Sequence, residues 1–401
     1  MPKACGRRHN LCLARLDLMV CVRLIDAASG VWGAVVGVVV VAGARHSVNR
    51  RLALLALCGA NLALVVTIAG SVTVLSDVLA PLTGHLIGVG LAASLALLTR
   101  RLSALVLGIS ATCIVHAWLG LAVCCHPPRP VLIDGPAIAA SGQTHDISVL
   151  ALNTWHDHAD PSRLANYLAN VEADLVVLSE FGPNKRTMLR QLKASHPFQV
   201  DCADEWGCSL ALISRRPFAS AGAGHIAEGK LAFVWARLAG GVTVLGTHLQ
   251  WPSRDPWLHE QQMLDLVEFI GRIPGPVILA GDLNTTPWSK TYRTLRRVAG
   301  LVPASTLRPT WPAWPLALPQ IALDHIFVSA DLSVSAAGTG PAVGSDHLPI
   351  WAIVQRRASF ERSKAAVRGF ALRSAPAQPH FGAQLLADLG GEHGGTRNLR
   401  R

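Results

Sequence analysis

Hydrophobic and polar positions along these 401 residues fall into two textures. Between residues 27 and 125, the stretches 27–44, 52–76, 78–99 and 102–125 contain no Asp, Glu, Lys or Arg. About 20 apolar residues cross a bilayer as a helix, so the pattern predicts an all-α transmembrane domain, its first span only just long enough. A buried soluble core is the competing reading, but nearly a hundred such residues, broken only by short charged joints, are foreign to water-soluble domains. Asn61 and His85 are the notable polar residues within these spans and read as helix–helix contacts rather than a transport path.

Pro127, Pro128 and Pro130 end the last span and open a linker over 126–144. From residue 145 to 355 short apolar runs alternate with amphipathic stretches. Strand-sized runs are Ile147–Leu152, Leu175–Leu178, Leu210–Ile213, Val242–Leu245, Val277–Leu279, His325–Val328 and Ile350–Val354, while Ser162–Val171 and Leu258–Ile270 have helical spacing. Runs of this size bounded by Gly, Pro, Asn and Asp predict an α/β or α+β domain. Residues 356–401 turn Ala/Gly/Arg-rich without periodicity, as a basic disordered tail does.

Composition adds that 51% of residues are hydrophobic and only 15% charged, against about 25% charged in soluble domains. The net charge of +11 is uneven. Residues 1–126 carry ten Lys/Arg against three Asp/Glu, and residues 356–401 nine against three. Residues 127–355 carry 17 against 19, which weakens a polyanion-binding reading for that part. Arg45, Arg50 and Arg51 mark one interspan joint as cytoplasmic, and Arg100 and Arg101 another, which puts residues 126 onward outside the cytoplasm. The basic segment 1–26 then starts on the disfavoured side. Three spans instead of four, a start at Met19, or a signal peptide ending near Ala42-Gly43-Ala44 each resolve this and keep the C-terminal part outside.

The polar residues at the run ends carry the chemistry: Asn153, Glu180, His248, Asp282 with Asn284, Asp324-His325, and Ser345-Asp346-His347. A single carboxylate at a strand end is usually a turn or a helix cap, but six strands delivering such groups to their ends are hard to explain by capping. Strand ends converge on a sheet rim, so these groups can share one site. Oxygen ligands from Glu180 and Asp346, with Asn153 and Asp282 near, suit a hard cation such as Mg²⁺ or Mn²⁺. No Cys/His set has zinc spacing, and neither a serine elbow nor a glycine-rich phosphate loop occurs. Metal-assisted phosphoester hydrolysis is the economical reading.

The segments Leu152-Asn153-Thr154-Trp155, Ala173–Glu180, Gly246-Thr247-His248-Leu249, Gly281-Asp282-Leu283-Asn284, Leu323-Asp324-His325-Ile326 and Gly344-Ser345-Asp346-His347-Leu348-Pro349 resemble, in order, the endonuclease/exonuclease/phosphatase superfamily. Its members include abasic-site endonucleases, DNase I-like nucleases, neutral sphingomyelinases and inositol-polyphosphate phosphatases. Ser214-Arg215-Arg216-Pro217 is similar to the family's Ser-Arg-x-Pro strand end. The chain is more narrowly similar to bacterial members anchored by N-terminal spans in the inner or plasma membrane, with the catalytic domain extracytoplasmic. The resemblance implies a four-layer α/β sandwich of two sheets flanked by helices. It implies Glu180 as principal metal carboxylate, supported by Asn153 and Asp346, and Asp282 as the residue that orients or deprotonates water. Asn284 would hold that water and a phosphate oxygen. His248 and His347 would donate to the phosphoryl group, and Asp324 would fix the His347 ring. His325 gets no role, because successive strand side chains point to opposite faces.

The expected function is therefore a membrane-anchored, divalent-metal-dependent phosphodiesterase acting on nucleic acid or phospholipid, with the bilayer but no obligate protein partner implied. The rival is a catalytically silent membrane scaffold, which predicts lost acidic ligands, and none is lost. Two further expectations concern the loop Arg308–Pro315, where Trp311 or Trp314 contacts substrate, and Cys202 with Cys208. Those two are the only cysteines after Cys125, and they read as a disulfide in an oxidising compartment.

Overall fold

The computed structural model describes residues 55–60, 62–63, 75–98, 146–157, 161–203, 207–226, 231–304, 308–315 and 320–357. The expected spans 27–44 and 102–125, the segment 1–26, the linker and the tail beyond Arg357 lie outside them, as does most of the span 52–76. The described residues fall into a helical N-terminal unit and a larger second unit.

In the helical unit, α1 is Leu75–Leu79, a 3₁₀ turn covers Ala80–Leu82, and α2 is Thr83–Leu98. Pro81 lacks an N–H to donate back into α1, so one turn tightens to 3₁₀ there, while Leu79 and Thr83 on either side stay right-handed helical. The predicted span 78–99 is thus a turn followed by a helix of 16 residues. Among the described residues no helix is long and apolar enough to cross a membrane.

The apolar runs of the second unit become the central strands of two six-stranded sheets. β1 is Ile147–Asn153, β2 Leu175–Ser179, β3 Phe198–Asp201 and β4 Leu210–Ser214. The chain then enters the other sheet with β5 (Phe218–Ile226), β6 (Leu231–Leu238), β7 (Thr243–Thr247), β8 (Val277–Asp282), β9 (Val302–Pro303) and β10 (Asp324–Val328). It returns to the first with β11 (Leu332–Thr339) and β12 (Ile350–Arg356), one residue past the expected domain edge. The sheet orders are β11-β12-β1-β2-β4-β3 and β5-β6-β7-β8-β10-β9. Only the central pairs β1–β2 and β7–β8 are parallel. Each is joined by a crossover bearing a helix, α3 (Pro161–Asn170) in the first and α5 (Pro256–Arg272) in the second. α4 (Arg186–Leu192) follows β2, and α6 (Lys290–Arg297) follows β8.

Central strands are buried on both faces, which is why β1, β2 and β8 are nearly continuous apolar runs rather than alternating ones. Val149, Val177, Leu212, Val234, Val244 and Ile326 fill the space between the sheets. Leu150, Leu164, Leu168 and Leu192 seal α3 and α4 onto the first sheet's outer face. Leu245, Leu266, Leu295 and Phe327 do the same for α5 and α6 on the second. The result is the four-layer sandwich expected from the resemblance. At Gly246 the sheets come so close that a Cβ would lie 2.7 Å from Val177 Cγ1.

Ser214-Arg215-Arg216-Pro217 serves the end of the sandwich away from the run-end residues. Ser214 pairs with Leu175 at the start of β2. Arg216 Nη2 donates to Asp174 Oδ2 at 2.9 Å, and the same carboxylate oxygen accepts from the Ser148 main chain at 2.8 Å. The motif ties strand starts together. Cys202 and Cys208 are joined by a disulfide with a Cα–Cα separation of 5.7 Å, closing the turn between β3 and β4. The adjoining Ser209 accepts a 2.8 Å hydrogen bond from the Phe181 main chain, one residue beyond Glu180.

Two measurements check this account. Thiol labelling of the denatured protein is expected to leave Cys202 and Cys208 unmodified until reductant is added, and closing so short a loop contributes about 2–3 kcal/mol. Labelling of both without reductant would refute the bridge. His196 is fully buried, its Nε2 lies 3.2 Å from the Ala173 carbonyl, and burial pushes its pKa below the usual 6.5. The unfolded chain then binds the proton more readily, so stability is complete above about pH 6.5 and falls as pH drops through that value. Denaturant unfolding at pH 7.5 and 5.5 is expected to show this loss, and His196→Gln to reduce its slope. An unchanged slope would discard the assignment.

Candidate active site

Every run-end residue arrives at one edge because of strand direction. β1 and β2 are parallel and end at Asn153 and Ser179, with Glu180 next. β7 and β8 are parallel and lead to His248 and Asp282. β10 runs antiparallel to β8, so its first residue, Asp324, pairs with the last residue of β8, Asp282. β12 runs antiparallel to β1, which puts the preceding Asp346 and His347 at the same edge. The two sheet rims face each other and deliver all eight candidates to one cluster.

The bridge between rims is the Asn153 amide. Its Nδ2 donates to Glu180 Oε1 and to Asp282 Oδ2, each at 2.9 Å. Around Asp282 Oδ2 stand His248 Nε2 at 3.6 Å and His347 Nε2 at 3.9 Å. Asp282 Oδ1 accepts from the Asn284 main chain at 2.9 Å. Asn284 Nδ2 donates to the Leu249 carbonyl at 2.9 Å and lies 3.2 Å from His248 Nε2. His347 Nδ1 meets Asp324 Oδ2 at 2.7 Å, with both residues buried. Asp346 Oδ2 accepts from the Trp311 indole at 3.3 Å, and Ser345 Oγ donates to the Asn153 carbonyl at 2.7 Å.

Local backbone strain concentrates here. Glu180, Trp155 and Asn284 have φ of 52°, 52° and 45°, a region that non-glycine residues rarely enter. Gly281, ahead of Asp282, has φ 142°, and a Cβ there would lie 2.1 Å from the Thr247 carbonyl oxygen, so only glycine fits.

The electrostatics separate the acids. Burial alone would raise Glu180, but the charge of His248 and hydrogen bonds from Asn153 and His156 outweigh it and hold the carboxyl at about 2. Asp282 is pushed up, first by complete burial and then by Asp324 beside it. Asp324 goes the other way: His347 more than offsets its burial. Burial would lower His347, yet Asp324, Asp282 and Asp346 raise it to about 10, so its ring is an imidazolium at neutral pH. Asp346 is raised by burial and by the nearby charges of Glu180 and Asp282.

Asp282, Asp324 and His347 place ligand-type atoms within 4.8 Å of one another. Asp324 already engages His347 Nδ1 at 2.7 Å, so only Nε2 of that ring is left to face a cation there. Glu180 and Asp346 with the Asn153 amide offer hard oxygen ligands instead. The crowding of Glu180, Asp346 and Asp282 is the excess negative charge that a divalent cation relieves.

His325 faces away, as expected: its Nε2 meets the Thr285 carbonyl at 2.8 Å, and its ring packs edge-on to Tyr292. Three residues without an assigned role also enter the site. The His156 main chain and ring Nδ1 both meet Glu180 Oε2, at 2.8 and 3.0 Å. The Trp155 ring rests on Trp314 at 6.1 Å. Lys185 is fully buried and donates through Nζ to the carbonyls of Trp155 at 2.6 Å and Glu180 at 2.9 Å. Burial pulls its pKa down to about 8, with Glu180, Asp157 and Asp346 resisting. Trp155 and His156 follow Asn153 directly in sequence, but a lone lysine five positions after Glu180 carries no signal of its role.

The sequence profile of the "Endonuclease/Exonuclease/phosphatase family" matches residues 150–347. Among solved structures, an endonuclease/exonuclease/phosphatase from Bacteroides vulgatus aligns at 20% identity and TM-score 0.45, covering 53% of this chain and 99% of the other. Humanized TDP2 from D. rerio aligns at 19% and 0.44, covering 52% and 99%. A substituted beta toxin from Staphylococcus aureus with bound magnesium ions aligns at 18% and 0.40, covering 53% and 100%. No curated protein matches significantly.

Lys185→Met keeps the stem and removes the ammonium, so the Trp155 carbonyl loses its lysine donor, while the Glu180 carbonyl keeps only Thr154 Oγ1 at 3.0 Å and the Gly182 main chain at 3.1 Å. A loss of about 1–3 kcal/mol is expected in denaturant unfolding. Wild-type stability in this variant would show that Lys185 does not hold the two strained residues.

Proposed function

Because residues 150–347 form a domain of the endonuclease/exonuclease/phosphatase family, a family of metal-dependent phosphoester hydrolases, we propose that this chain hydrolyses a phosphodiester with an activated water. The observation that carries the reading is the Asp282 carboxylate, buried between His248 and His347 and bonded to the same amide as Glu180.

Glu180, Asp346 and Asn153 would hold Mg²⁺ or Mn²⁺, which when bound supplies Lewis-acid polarisation of a phosphoryl oxygen. Asp282, with its raised proton affinity, is suited to orient a water and accept its proton. Asn284 and His248 lie on one side of it as donors that steady the water and a phosphate oxygen. His347, kept cationic by Asp324, donates to the oxygens that gain charge as the phosphorus becomes five-coordinate. His156 and Lys185 fix the Glu180 carboxylate and main chain.

We further propose that residues 27–125 anchor the chain in a bilayer with the hydrolase on its outer side. The charge-free stretches, the arginines between them and the Cys202–Cys208 bridge support this. The scaffold alternative is weakened by a complete set of acidic and imidazole groups in one cluster.

Assays of the purified full chain with Mg²⁺ or Mn²⁺ on DNA, RNA, sphingomyelin and bis-p-nitrophenyl phosphate test the activity. Glu180→Gln is expected to weaken metal binding in calorimetry as well as rate. Asp282→Asn is expected to lower the rate at saturating metal by about 10²–10⁴-fold. Small and equal effects of both changes would reverse the role assignment, and a folded, metal-binding protein without turnover on any substrate would favour the scaffold.

A further inference from the structure

Two tryptophans from separate loops meet beside the cluster, and each is held by the cluster itself. Trp155 donates its main-chain N–H to Asn153 Oδ1 at 2.9 Å, and its carbonyl accepts from buried Lys185. On the other side, Ala313 is buried, and its main chain donates to the Asp346 carbonyl at 2.6 Å. The next residue, Trp314, leans its ring on Trp155 with 40° between the planes and keeps 53% of its surface exposed. Trp311, in the same loop, is only partly exposed and directs its indole N–H to Asp346. The two loop tryptophans therefore differ: Trp311 positions an acid, while Trp314 presents a large ring to solvent from an anchored backbone.

Resting on the hydrolase reading above, we propose that Trp155 and Trp314 form a stacking subsite for the nucleobase of a short or small nucleotide phosphodiester. An aromatic face fixed in place suits a flat ring, since every base has a π-face and stacking needs no hydrogen-bond match. The neighbours disfavour a lipid occupant. His156 and Asp157 follow Trp155 with side chains 68% and 71% exposed, and immersing that carboxylate in acyl chains is costly. The near-neutral charge of residues 127–355 gives a long polyanion little to follow, so the substrate is short.

Binding separates this inference from turnover. Calorimetry on the full chain with Mg²⁺ compares adenosine monophosphate with ribose 5-phosphate, which lacks the base. The nucleotide is expected to bind about tenfold more tightly, and Trp314→Ala to remove most of that margin. Leu264→Ala, on the exposed face of α5, is the control and should preserve it. Equal affinities for the two probes, or a Trp314→Ala variant that weakens both alike, would overturn the subsite. So would loss of binding to phosphatidylcholine–sphingomyelin vesicles in Trp314→Ala with the nucleotide margin intact, which would make the pair lipid-facing. Failure of hydrolysis with the margin present would count against the proposed function and leave the subsite standing.

Discussion

One side-chain amide joins the two sheets at their chemical edge. Asn153, on the first sheet, donates to Glu180 of its own sheet and to Asp282 of the other, 129 residues along the chain. Each carboxylate alone would be repelled by its neighbours. The shared amide draws them to a common donor and fixes the gap across which the two histidines stand. Its own carbonyls are constrained in turn: Trp155 donates to the side-chain oxygen and Ser345 to the main-chain oxygen. Glu180, Asp282 and the Asp346 segment are thus located relative to one residue.

The second organising element is the alternation of carboxylate and imidazole along Asp324–His347–Asp282–His248, in which the first three are buried and His248 is partly exposed. Asp324 gives up its affinity for protons to His347, and the imidazolium stands beside an Asp282 that burial and Asp324 make more basic. The two aspartates pair across β8 and β10 in the same register, yet their environments push them apart. Divergent neighbours give one the part of a fixed anion and leave the other free to exchange a proton.

Much of this was legible in the sequence because strand direction and burial leave strong marks. β1, β2, β4, β7, β8, β10 and β12 coincide with apolar runs, and their terminal polar residues stood out against them. β3, β5, β6, β9 and β11 were not anticipated. β5, Phe218–Ile226, is rich in Ala and Gly, and β9 has only two residues, so neither shows a strand-sized apolar run. The helical 186–192 and 290–297 segments were also missed, being short. Within the site the eight expected residues do come together, but Lys185, His156 and the distinct duties of Trp311 and Trp314 were invisible. Their significance lies in contacts across loops, and no periodicity or spacing encodes those.

The sheet order has a consequence for how the protein is made. β1 lies between β2 and β12, and Ile147 pairs with Val354, so the first sheet stays open along one side until nearly the whole domain has been synthesised. Contacts so distant in sequence close slowly. Asp346 and His347 arrive on that same late segment. A nascent or prematurely terminated chain therefore holds Glu180 and Asp282 without their last partners, and the strand that completes the fold is also the one that delivers the final pieces of chemistry.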